Sequence, residues 1–72
     1  MPLHGEVVRL DPAAGCGFIR TPEGDEYYFN HDSVVGMPFA HLQADAKVQF
    51  IAEIGVEEMH AKRVSLIKHG AG

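Results

Sequence analysis

Between Cys16 and His31 the chain concentrates flat rings and a guanidinium. Phe18 and Arg20 lie in Gly15-Cys16-Gly17-Phe18-Ile19-Arg20, and four more rings lie in Tyr27-Tyr28-Phe29-Asn30-His31. Read as two strands, each segment alternates its side chains between two faces. Cys16, Phe18 and Arg20 then share a face of the first strand, and Tyr27, Phe29 and His31 share a face of the second. The intervening Thr21 to Glu26 contains Pro22-Glu23-Gly24-Asp25, which is good turn chemistry, so the two strands form a hairpin. The expectation is an outer face carrying Phe18, Arg20, Tyr27, Phe29 and His31 side by side. Flat rings and a guanidinium on an open sheet have the chemistry to stack unpaired nucleic-acid bases. Phe18 or Phe29 taken singly reads equally well as core. The pattern favours the surface, because Ile19 already faces away from Phe18 and a half-buried strand needs only one inward face. Gly15 and Gly17 also clear space beside Phe18.

Other chemistries fit less well. Cys16 and His31 across the hairpin superficially pair a nucleophile with a base, but no third orienting residue or oxyanion site accompanies them, so no enzyme activity is expected. The five histidines (His4, His31, His41, His60, His69) show neither an i, i+4 pair on a helix nor a zinc-site spacing. No metal or cofactor is expected. Cys16 alone excludes an intrachain disulfide and reads as a small half-buried residue.

These residues must be placed by a single domain, residues 1–72, with a core over about 5–67. A chain of this length buries only about 60% of its unfolded surface. Gly5 to Leu10 reads as a first strand, with Val7, Val8 and Leu10 apolar, and Asp11 to Gly15 turns the chain into the hairpin. Ser33 caps a short helical turn. Val34 to Ala44 is a loop with one turn of helix, carrying Phe39, His41 and Leu42. Lys47 to Ile54 alternates cleanly, with Val48, Phe50, Ala52 and Ile54 on one side. Gly55 to Glu58 turns, Met59 to Ile67 is the last strand with Val64 and Leu66 inward, and 68–72 frays. The fold class that follows is all-β, a five-stranded antiparallel OB-fold barrel, whose binding surface lies on its second and third strands.

The net charge is −4, and residues 1–33 hold six acids against two bases. Phosphate backbones reward clustered Lys and Arg, so the affinity expected is modest and salt-sensitive. The first residues lack a signal-peptide pattern, and no apolar run approaches the ~18 residues of a membrane span. A soluble cytoplasmic protein with no membrane partner is the expectation.

The sequence resembles the cold-shock domain, a small OB-fold module. The family's G-x-V-K-W-F-N is similar to Gly5-Glu6-Val7-Val8-Arg9-Leu10-Asp11, its K-G-F-G-F-I to Ala14-Gly15-Cys16-Gly17-Phe18-Ile19, and its V-F-V-H-F-S to Tyr28-Phe29-Asn30-His31-Asp32-Ser33. Phe39, Leu42, Val48-Gln49-Phe50 and Ala61-Lys62-Arg63-Val64 look like its later positions, so the likeness runs over about residues 5–66. The resemblance implies binding of single-stranded RNA or DNA, with base-stacking roles for Phe18, Phe29, His31 and Phe39, and a role as RNA chaperone or regulator of transcription or translation. Three stacking positions depart from the pattern: Arg9 stands for the tryptophan, Cys16 for a phenylalanine and Asp32 for the ring after the histidine. Arg9 can stack its guanidinium while adding charge, and Tyr27 adds a ring. The alternative is a degenerate domain that uses the aromatic face as a protein-interaction module or to form a weak homodimer.

Overall fold

Alternation of apolar and polar residues builds five strands, and their inward faces meet in one core. The computed structural model describes residues 2–55 and 59–67. The strands are β1 (Pro2–Asp11), β2 (Cys16–Arg20), β3 (Glu26–Asn30), β4 (Lys47–Ile54) and β5 (Met59–Leu66). Single 3-10 turns span His31–Ser33 and Phe39–His41. The sheet closes in the order β1-β2-β3-β5-β4, with β4 pairing back onto β1. This is the five-stranded OB-type barrel read from the sequence.

Four of the pairings are antiparallel. The fifth is a parallel seam, where β3 meets β5 through one register pair, Tyr28 opposite His60. A bridge between Val34 and Val64 continues this closure beyond β3. β1 starts earlier than the sequence pattern suggests. Its first residues, Pro2 to Glu6, pair with β4, and its later ones, Glu6 to Asp11, pair with β2. An irregularity between Val7 and Arg9 lets the strand bend from one neighbour to the other.

The buried core is Val7, Ile19, Tyr27, Phe29, Leu42, Val48, Phe50, Ala61 and Val64. Val48 and Phe50 point inward from β4 as the alternation requires, and Ala52 is half-buried against the same cluster. Ile54 belongs to that series by spacing, yet it is 73% exposed because the strand has run past the packed centre. Leu66, expected inward with Val64, is 39% exposed at the last position of β5. The turn read at Gly55 to Glu58 and the frayed tail at 68–72 fall largely outside the described residues. Among the described residues, no helix is long and apolar enough to cross a membrane.

Close strand approach depends on Gly17. A Cβ there would lie 2.6 Å from the Arg9 carbonyl oxygen and 3.0 Å from a Phe29 ring carbon, so Gly17→Ala must push β1 from β2. Phe29→Ala is expected to cost about 3–5 kcal/mol through loss of buried volume. That is comparable with the whole stability of about 4–10 kcal/mol expected for a chain of this size. Thermal melts followed by circular dichroism should therefore show Phe29→Ala with much of its stability lost and a sharply lowered midpoint, and Gly17→Ala melting well below the parent protein.

Candidate nucleic-acid interface

A five-residue loop decides which rings of the hairpin face outward. In Thr21–Asp25, the Thr21 amide donates to the Asp25 carbonyl at 2.9 Å, and the Gly24 amide donates to the Thr21 carbonyl at 2.9 Å. The buried Thr21 side chain accepts from the Asp25 amide at 3.3 Å. The closed loop sets Arg20 opposite Glu26, Ile19 opposite Tyr27, Phe18 opposite Tyr28, Gly17 opposite Phe29 and Cys16 opposite Asn30. Residues directly opposite share a face of the sheet.

This register corrects the expected outer face. Ile19 is fully buried, so its partner Tyr27 turns inward as well, 6% exposed, with its ring centroid 5.0 Å from that of Phe50. Phe29 is 1% exposed in the same core. Neither ring is available to a base. The outward set is Cys16, Phe18 and Arg20 on β2 with Glu26, Tyr28 and Asn30 on β3. Tyr28 is the ring that the sequence reading passed over. The signal for it lay in the family's V-F-V-H-F-S, which also fits one residue earlier, from Tyr27 to Asp32. In that frame Tyr28 takes the place of the motif's phenylalanine, between two inward-facing neighbours.

The outward residues form a rung across the barrel. Arg9, Phe18, Tyr28 and His60 are successive register partners on β1, β2, β3 and β5. The Arg9 guanidinium carbon lies 5.6 Å from the Phe18 ring centroid, within cation–π range. Phe18 and Tyr28 meet edge to face at 5.7 Å and 70°. Tyr28 and His60 are tilted at 49°, 5.4 Å apart. Each ring is half-buried, anchored by its neighbours.

The remaining expected site residues surround this rung unevenly. Arg20 is on the outer face, but it donates to Glu26 at 2.7 Å, and both side chains are exposed. Lys47 is likewise paired with Glu6 at 3.4 Å and Lys62 with Glu53 at 2.8 Å. Among the described residues Arg9 carries no carboxylate partner, so it is the cation of the rung open to phosphate. His31 lies in the 3-10 turn after β3, 61% exposed in its side chain, with Nδ1 3.2 Å from Asp32 Oδ1. The Asn30 side chain, rather than Ser33, caps that turn by accepting from the Asp32 amide at 3.0 Å. Phe39 lies in the β3–β4 connection, packed partly against the core with its centroid 6.0 Å from that of Phe29.

No family model matches the chain. Over 64 residues it is 30% identical to the major cold shock protein CspA of Pseudomonas aeruginosa, an alignment spanning 89% of this chain and 93% of that protein. The chain belongs to the cold-shock protein family. Its fold also matches a solved structure, Drosophila Unr CSD456, with a TM-score of 0.76 at 19% identity. That match covers all of this chain and 29% of the Unr chain, and it is a likeness of fold.

The seat of His31 depends on Gly15. Gly15 has φ +71, its carbonyl accepts from the His31 amide at 2.8 Å, and a Cβ on it would fall 2.9 Å from the His31 ring. Gly15→Ala therefore combines left-handed backbone strain of about 1–2 kcal/mol with displacement of the imidazole. The expected outcome is a lowered melting midpoint and shifted His31 ring resonances in NMR, with the Phe18 and Tyr28 resonances little changed.

Proposed function

We propose that this barrel binds single-stranded RNA or DNA by stacking unpaired bases on Phe18 and Tyr28, with Arg9 at one end of the platform to stack and to meet phosphate. The observation that carries the reading is the rung itself: planar groups on three adjacent strands, in register, half-buried at the base and facing outward. Every base offers a flat face to such rings, whereas a duplex hides it. Membership of the cold-shock family supports the same reading, as does the resemblance of Gly15-Cys16-Gly17-Phe18-Ile19 to the family's first binding motif. His31 and Phe39 flank the platform and take further contacts with the strand. Holding single strands open is the chemistry of an RNA chaperone, or of a regulator acting on transcripts, and is carried out without covalent catalysis.

The electrostatics make this a stacking site more than a charged one. Arg20, Lys47 and Lys62 each face a carboxylate, so few cations are left to replace counterions. The slope of log K against log salt falls by about 0.7 for each phosphate neutralised on a single strand. A total slope between about −0.7 and −1.5 is expected.

Fluorescence titration of labelled RNA and DNA hexamers tests the reading. Phe18→Ala and Tyr28→Ala remove outward rings and should weaken binding by about 5- to 150-fold each, corresponding to about 1–3 kcal/mol per stacked base, while the proteins stay folded. Tyr27→Phe, a change within the core, should bind as the parent does. Absence of binding to any strand at low salt would overturn the proposal. Sedimentation analysis would then test the aromatic face for self-association.

A further inference from the structure

We propose that the seam between β3 and β5 is a further subsite of this interface. In it, Tyr28 and His60 hold one base, and the carboxylates of Asp32 and Glu53 select a base that presents an amine where thymine and uracil present O4, that is cytosine or adenine. The inference rests on the single-strand reading above and extends it onto a strand that the hairpin motif does not include.

The seam is where the sheet is least tightly zipped. β3 and β5 share one register pair, and beside it opens a cavity of about 270 Å³ whose walls include Tyr28, Asn30, Asp32, Ser33, Glu53 and His60. His60 continues the rung, 5.4 Å from Tyr28 between centroids. Glu53 stands opposite it on β4. A base following the rung from Phe18 past Tyr28 therefore meets a second ring and then a polar wall.

That wall suits a base edge, and its one ammonium, that of Lys62, is held by Glu53. One oxygen of Glu53 pairs with Lys62 at 2.8 Å, and one oxygen of Asp32 lies 3.2 Å from His31 Nδ1. Each carboxylate keeps its second oxygen as an acceptor. Asn30 commits its Oδ1 to the Asp32 amide and the Ser33 hydroxyl, at 3.0 and 3.3 Å, which leaves its amide nitrogen as a donor. Acceptors on the wall match the N4 amine of cytosine and the N6 amine of adenine, whereas thymine and uracil present O4, an acceptor, at the equivalent position.

The test is titration of hexadeoxycytidylate and hexathymidylate against the parent protein, His60→Ala, His60→Phe and the double variant Asp32→Asn with Glu53→Gln, each checked by thermal melting. The parent should bind hexadeoxycytidylate at least fivefold more tightly than hexathymidylate. His60→Ala should lose about tenfold in affinity for hexadeoxycytidylate, and His60→Phe, which keeps a ring, should lose little. The double variant should bring the two oligonucleotides to within about twofold of each other. The ratio is the readout, because a general change in charge moves both affinities together. Should His60→Ala fail to fold, the double variant decides. Unchanged binding by folded His60→Ala, or an unchanged ratio in the double variant, would overturn the subsite while leaving the rung on Phe18 and Tyr28 standing. No binding of either oligonucleotide by the parent would overturn both.

Discussion

The outer face of this barrel depends on the register of one hairpin. Side chains alternate with a period of two, so a slip of one residue between β2 and β3 would exchange every inward ring for an outward one. The loop Thr21–Asp25 prevents this by closing on itself through Thr21, whose backbone and hydroxyl both bond to Asp25. The core reinforces the same choice. Ile19, Tyr27 and Phe29 are buried together, and a slipped register would expose them, losing about 25 cal/mol for each Å² of apolar surface returned to water.

Rings of one chemical kind therefore do two different jobs on adjacent positions. Tyr27 and Phe29 are structural, packed against Phe50 and Phe39. Phe18 and Tyr28 face outward and support each other edge to face, a geometry favoured by the ring quadrupole. Arg9 extends that support, because its guanidinium lies over Phe18 and is preorganised where a family tryptophan would stand. Position by position, the departures from the family pattern alter the balance of the surface: a ring becomes a cation at Arg9, and in the frame that the register sets, the motif's histidine becomes the amide of Asn30 and the ring after it the imidazole of His31. Together with the internal pairing of Arg20, Lys47 and Lys62, they leave an outer face with more planar groups than unpaired cations among the described residues.

Much of the fold was legible in the amino-acid order. The strict alternation of Val48 and Phe50 with Lys47 and Gln49 marks β4 unambiguously, and Pro22-Glu23-Gly24-Asp25 announces the turn of the hairpin. The family motifs then place these strands in a small barrel. The limits of packing were harder to read. Ile54 and Leu66 continue an inward pattern, but whether such a residue is covered depends on how far the neighbouring strands extend beside it.

The candidate site divides along the same line. Phe18 and Arg9 could be placed from the chain alone, because Ile19 fixes the inward side of β2 and the motif locates Arg9 beside it. The run Tyr27-Tyr28-Phe29 could not be resolved this way. Three consecutive rings satisfy both alternation frames equally well, and His31 drew the motif into the wrong one. His60 is further still from local inference, since it lies 32 positions from Tyr28 in the chain and meets it only across the parallel seam. Local order determined which segments are strands and which residue types were on offer. Cross-strand register and barrel closure decided which rings face outward together, because register is a relation between segments that no single segment contains.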